Sequence, residues 1–416
     1  MNKRFFYTII ICIFLLISAT SCTTAHEDVD ANIVDNSIII LEKSQDVGQS
    51  FSSQLVEFDN DAVDKVMAIV DNNIVYFQYA DKDTAISYYK YDIETDTTFK
   101  LGKIENPYIN SGEVAQIDNK LYFYMNELVL DEKNPDGQLE ATLYEIDIEA
   151  NTLQSIFTES IDKTLVYIDV LDNDIVSFKG RYEDNFGIGY IDIIDFREEK
   201  TRTHPEQDVL LSVKFDNDKS EGDLIYNFAQ SNNFLYTLEA KAVDPEARIF
   251  TIKQYNSKGS LVRRIELDKE VTDILKNERV SRFAVMGQYA FIRTFSNTGV
   301  LCDISNNIAV ARLIDNEEEI DIAYGAKNGE EPTHILIYSR NKGDMWLLEL
   351  KTSTLHSLDV NYENIEYVII DDTKNILISA FDDDDTANTL MYLDYLDIPI
   401  KDSIILTDGV TLFNNR

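Results

Sequence analysis

An all-β fold, built as a ring of seven small antiparallel sheets of four strands each, is what this sequence predicts. Three observations predict it: a two-strand motif that returns seven times, a carboxylate at one fixed place in most copies, and a scarcity of helical patterns. Apolar runs begin at Ile74, Leu121, Ile175, Phe234, Tyr289, Ile335 and Ile376, spaced 41 to 59 residues apart. Repeats of that length that cannot bury their own faces must stack on one another, and the closed solution for β meanders is the β-propeller.

Each copy continues into a second run ending aromatic or aliphatic, polar, aliphatic. The centres are Asp92, Asp147, Asp195, Gln254, Asp303, Glu349 and Asp394. Turn-forming residues follow, as in Glu149-Ala-Asn-Thr152, and then another β-prone run such as Leu261 to Leu267, which reads as the outer strand of a hairpin. The polar centre is expected to accept hydrogen bonds from backbone amides at the hairpin end. A ring of carboxylate ligands around a channel is the functional alternative, but recurrence in nearly every copy favours the structural role.

The strongest helical pattern is Asp268 to Arg282, with Val271, Ile274, Leu275 and Val280 as a partial apolar stripe. A single helix excludes alternating β-α folds, which need one after nearly every strand. A pair of β-sandwiches is the structural alternative.

Ahead of the repeats, Lys3 and Arg4 precede an apolar stretch, Phe5 to Ile17, and a small-residue zone, Ser18 to Ser21. That is the plan of a secretion signal. Its 13 apolar residues fall short of the roughly 20 a membrane-spanning helix requires. Cys22 directly after small residues resembles the lipobox of bacterial lipoproteins, which implies a lipidated cysteine at the mature N-terminus. The family prefers Leu where this chain has Ala19. The expected layout is therefore a signal peptide at 1–21, an acidic tether with a possible closing strand at 22–63, and a propeller at 64–416. The patch Ile38 to Leu41 and the terminal run Ile404 to Phe413 are expected to close the ring from the two chain ends.

The repeated Tyr/Leu-x-aliphatic-Asp pattern, with Thr following the turn, resembles secreted bacterial β-propeller lipoproteins, loosely of the TolB-like type, over most of 64–416. That type is usually six-bladed, and seven repeats depart from it. The resemblance implies architecture and an envelope location; the superfamily hosts binders, scaffolds and enzymes alike.

Chemistry is sparse. The net charge of −38 repels phosphate backbones, which excludes general nucleic-acid binding. With Cys12 in the signal and Cys22 lipidated, Cys302 is left alone in an apolar strand, so no internal disulfide is expected. No Gly-x-Ser-x-Gly elbow occurs, and His26, His204, His334 and His356 are scattered without ligand spacing, their convergence in a ring being conceivable only across blades. The segment from Glu132 through Asn134 and Asp136 to Gly137 echoes a calcium loop but carries Leu143 where Glu is required, and Asp216 to Gly222 has its glycine one place late. Asp382 to Asp385 reads as solvated loop acids. No cofactor, metal ligand or catalytic residue is assigned.

Two classes of function remain. One is a non-catalytic scaffold, tethered to the membrane through its N-terminal lipid, that binds a protein, peptide or glycan. The other is a propeller enzyme, hydrolase or lyase, acting on an extracellular polymer. A tight asymmetric cluster of acids with Arg or His at the channel mouth would favour the enzyme.

Overall fold

The computed structural model describes residues 39–41, 54–57 and 65–412, except for connecting segments of which 130–137 and 196–208 are the longest. Antiparallel meanders occupy 65–105, 107–161, 166–216, 223–267, 280–315, 320–358 and 365–394. All seven apolar runs form the second strand of a meander, from Asn73–Tyr79 to Asn375–Phe381. Where their burial is described, both faces of these strands are covered, as in Ile74, Val75, Tyr76 and Phe77, because the sheet has a neighbour on each side. The outer strand Leu261–Leu267 was predicted with the observed bounds and has most of its length exposed.

The recurring carboxylate closes the hairpin between third and fourth strands. Asp92 Oδ1 accepts from the amides of Glu94 and Thr95, and Asp147 Oδ1 from that of Ala150. Asp303 Oδ1 accepts from the Ser305 amide. Four residues after Asp92, Asp147 and Glu349, the backbone turns left-handed at Asp96, Asn151 and Ser353, and the next residue is the Thr that pairs with the carboxylate residue across the ladder. The aliphatic residue after the carboxylate donates its amide to the turn between first and second strands, as Ile93 does to Asn72 and Ile148 to Asn119. Where Gln254 stands in place of the acid, Asn256 Oδ1 accepts from the Ser260 amide and does the same work. The motif therefore ties the hairpins at one end of each sheet, which is why it returns.

Neighbouring meanders join in a closed order. Lys90 Nζ donates to the Ile148 carbonyl at 3.0 Å, linking the first two. The strand Val166–Leu171 lies against Ala115–Ile117 on one side and Asp223–Ser231 on the other. The Gly287 amide donates to Ser231 Oγ, and the outer strands of these two meanders pair in parallel at Glu266↔Ile308. Arg282 reaches the Ile322 carbonyl, Arg340 Nη2 the Glu366 carbonyl, and the Val66 amide donates to the Tyr367 hydroxyl, returning the end of the series to its start. The first strands 115–117, 166–171, 223–231 and 280–286 contact one another in order, as do 320–323, 365–370 and 65–70, so these free edges face a common axis. The chain is an all-β propeller, and its core is a series of apolar layers between sheets rather than one central mass.

Two expectations need correction. The helix covers only Lys269–Leu275, capped by Asp268 Oδ1, which accepts from the Val271 amide. Val280 instead opens the strand Val280–Met286, whose ladder with Tyr289–Thr294 outweighs the helical stripe. Of the two chain ends expected to close the ring, the N-terminal one does join the last meander but the C-terminal run does not meet it there. Gln54–Glu57 pairs with Asn388–Asp394 and carries Ile39–Leu41 outside it, so the N-terminal side supplies the outer strands of the last meander. The C-terminal strand Ile400–Ile405 adds to Thr354–Leu358, and Thr411–Leu412 lies parallel to Ile308–Asp315. Apolar character alone does not choose among several open outer edges.

Candidate functional site

The end of the ring that carries the turns between second and third strands holds a charge cluster at the joint between 280–315 and 320–358. Arg282 and Arg293 are ladder partners, which sets their guanidinium groups side by side on the face toward the next sheet. Asp321 belongs to the short first strand Ile320–Ala323 of that sheet. Its carboxylate accepts from Arg282 Nη1, from Arg293 Nη1 at 2.7 Å and from the Ile322 amide at 2.8 Å. Arg282 Nη1 also donates to the Ile322 carbonyl at 3.0 Å. Close approach of the two sheets here depends on Gly299, where a Cβ would collide with Ile320.

Exposure separates the two arginines. The Arg293 side chain is 15% exposed, whereas Arg282 is 38% exposed, and its Nη2 and Nε donate to none of the described residues. Burial works against the charge of Arg282, but the Asp321 carboxylate and then the Tyr324 and Tyr338 phenols outweigh it and hold the guanidinium protonated. Tyr338 is pushed up to about 12, by burial first and by the Asp321 charge second. Two guanidinium groups share the Asp321 carboxylate, in a protein with 75 acidic and 37 basic residues.

Beside the cluster, the turn after Arg293 is held from several directions. The Thr294 amide donates to the Thr298 carbonyl, and the Thr298 amide to Thr294 Oγ1. Ser296 Oγ donates to Glu278 at 2.7 Å, and Asn297 Nδ2 to Glu319. This framework presents Phe295 outward with 70% of its surface exposed.

Other polar clusters lie within sheets. Glu145 accepts from Lys120, Tyr122 and Gln154 at 2.8 to 2.9 Å. Burial opposes its charge, but those three bonds prevail and hold its carboxyl below the usual range. Glu239 is paired with Lys253 and accepts from Thr237 Oγ1 at 2.8 Å. Every donor there is already matched to an acceptor, and both clusters read as internal ties.

His334 and His356 fall on two strands of one meander, not on separate blades. His356 Nδ1 lies 2.8 Å from Ser403 Oγ, and burial holds His334 below its ordinary value against the pull of Glu349. Cys302 is wholly buried, which raises its thiol far above the reactive range, as its apolar flanks foretold. Among the described residues no three His, Cys, Asp or Glu side chains gather as metal ligands, and no helix is long and apolar enough to cross a membrane. Cys22, His26, His204, the loop Glu132 to Gly137, the segment 217–222 and Asp382 to Asp385 lie outside the described residues, while Asp216 ends the strand Val209–Asp216.

The Arg282, Arg293 and Asp321 cluster was missed in the sequence. A signal exists: both arginines sit inside apolar strands, Val280-Ser-Arg-Phe-Ala-Val and Tyr289-Ala-Phe-Ile-Arg-Thr, in a chain where basic residues are outnumbered two to one.

No family model matches the sequence, and no curated protein matches it. Among solved structures, the chain is similar to the β-propeller domain of the Trilobed protease from Pyrococcus furiosus, at 10% identity and TM-score 0.48, covering 84% of this chain and 99% of that one. It is similar to the RRP9 WD40 repeats at 10% identity and TM-score 0.45, covering 89% and 99%. It is similar to Penicillium chrysogenum α-L-arabinanase at 9% identity and TM-score 0.43, covering 69% and 93%. Likeness at this level says nothing of activity.

Proposed function

We propose that this chain is a seven-bladed propeller, exported and held at the bacterial cell envelope by lipid on Cys22, that serves as a non-catalytic binding scaffold for a protein, peptide or glycan. The blade count rests on the meanders that follow one another from 65 to 394 and on the N-terminal strands that complete the last of them. The address rests on the basic head, apolar stretch and small residues before Cys22.

The observation that carries the scaffold reading is the state of Asp321. The cluster at this joint is asymmetric, as an active site would be, yet its central carboxylate accepts from two guanidinium groups and a backbone amide. Glycoside hydrolysis needs two carboxyl groups with separate proton states, and general-base work needs one within reach of a substrate proton. Asp321 offers neither. What remains outward is a guanidinium, a group that recognises rather than reacts.

The test is chemical crosslinking in intact cells with the wild-type chain, Arg282→Gln and Cys22→Ala. Crosslinked products that weaken with Arg282→Gln, and loss of labelled fatty acid with Cys22→Ala, are expected. Turnover of a chromogenic glycoside or peptide that disappears in Asp321→Asn would replace the scaffold with an enzyme.

A further inference from the structure

We infer that the C-terminal segment from Ile398 to Leu412 is a strap that lifts off the rim of the ring, and that while attached it holds shut the joint carrying Arg282, Arg293 and Asp321. The inference rests on the scaffold reading only for what the joint does; it adds how the joint is controlled.

The path of the segment sets it apart. The last meander ends at Asp394, and the chain then returns to the two meanders before it. Ile398 is buried in the apolar layer between 320–358 and 365–394, with Leu347, Leu358 and Ile376. Ile400–Ile405 crosses the outer edge of 320–358 in an antiparallel ladder with Thr354–Leu358. Leu406 is fully buried in the next layer, between 280–315 and 320–358, with Phe291, Leu301 and Ile320. Its amide donates to the Ser353 carbonyl at 2.9 Å, and Ser353 Oγ accepts from Gln288 Nε2 of the neighbouring meander at 2.8 Å. Thr411–Leu412 ends the run beside Ile308–Asp315. One short segment therefore plugs two successive joints and ties three meanders from outside.

Between the two plugs little is buried. Every residue from Ile400 to Ile405 is exposed except Ile404, which is half-buried against the layer that holds Leu406. The side-chain ties of the strand are surface ones: His356 Nδ1 with Ser403 Oγ, and Lys401 with Asp359 at 3.0 Å, both of whose side chains are partly exposed. Exposed pairs of this kind add little. An outer strand with so few apolar anchors opens at a smaller free energy than the buried strands beneath it. Withdrawing Leu406 takes a side chain out of a close-packed layer, and packed sheets answer such a loss by shifting against each other. The ionic cluster bridges those same two sheets, so its geometry depends on their separation.

Hydrogen exchange of the full chain, read by mass spectrometry with residue-level fragmentation, tests both parts. Trp346, the only tryptophan, packs against the same layer and gives a second readout through acrylamide quenching. Three forms are compared: the parent, a double variant His356→Cys with Ser403→Cys, and Leu406→Ala. His356 and Ser403 are ladder partners, close enough for a disulfide between strap and body. In the parent the Leu406 amide should exchange at least a hundredfold faster than the amides of Tyr289–Thr294. Oxidation of the double variant should slow it at least tenfold, and reduction should restore the rate. Leu406→Ala should raise exchange at Ile320–Ala323 and quenching of Trp346 at least threefold, with exchange in 65–161 unchanged. A Leu406 amide that exchanges only with the whole domain, or is indifferent to the disulfide, would overturn the strap. Ile320–Ala323 and Trp346 unchanged in Leu406→Ala, or an equal rise in 65–161, would overturn its hold on the joint. Absence of crosslinked products in cells would defeat the scaffold reading and leave these rates as they are, so the two failures are distinct.

Discussion

Two joints of the ring hold neighbouring sheets by different means. Between 65–105 and 107–161 the contact is aromatic: Phe77, Tyr88, Phe123 and Tyr144 form a chain with ring centroids 5.1 to 6.0 Å apart, sealed by Ile86, Leu121 and Met125. Between 280–315 and 320–358 an apolar layer of Phe291, Leu301, Ile320 and Ile337 is present too, but its edge is ionic. The first joint uses one charge, the Lys90 ammonium on the Ile148 carbonyl, and no ion pair across the sheets among the described residues. The second joint adds an ionic cluster of two arginines and one carboxylate to its apolar layer, and the reading proposed above assigns that cluster to recognition rather than to folding.

The aromatic joint should break hardest on truncation. Phe123 is fully buried between Tyr88 and Tyr144, and Phe123→Ala is expected to cost about 3–5 kcal/mol. A loss below ~1 kcal/mol in thermal or urea unfolding would show that the layer is not what holds these sheets. At the ionic joint, Asp321→Ala leaves two guanidinium groups without their acceptor and should cost about 3 kcal/mol, for the reason that half of a buried ion pair is worse than none. A neutral Asp321→Ala variant would mean that water already satisfies both arginines.

Smaller effects sharpen the contrast between structural and functional carboxylates. Asp147→Ala removes the acceptor for the Ala150 amide and should cost about 1 kcal/mol without touching peptide binding. Glu145 gives a pH signature. Its folded carboxyl titrates below the unfolded one, so the unfolded chain binds the proton first, and the stability this group supplies is present above the ordinary glutamate range near 4.3 and lost as pH falls through the folded value. Glu145→Gln should flatten that part of the melting-temperature profile against pH; an unchanged slope would assign acid sensitivity to other groups.

Much of the architecture was legible because it is periodic. Seven second strands, the carboxylate turns and the outer strand Leu261–Leu267 each repeat a local pattern whose physics is local: a short apolar run, an acceptor for turn amides, a left-handed residue before Thr. The site was not legible, since it is a single event between residues far apart in the chain. Asp321 follows Glu317-Glu-Glu, an acid run indistinguishable from solvated surface, and Arg282 fell at the tail of an expected helix. The destination of the C-terminal strands was equally hidden, because several outer edges accept an apolar strand and tertiary fit decides among them.

The claim that the charges at the second joint serve recognition rather than folding is tested most directly by replacing all three at once. Thermal unfolding of Arg282→Met, Arg293→Met, Asp321→Leu in one chain should show a melting temperature at or above that of the parent, since a buried ionic group exchanged whole for apolar side chains of similar volume is neutral or stabilising. Loss of several kcal/mol, with the aromatic joint intact, would show that the ionic cluster is a structural tie and would contradict the account.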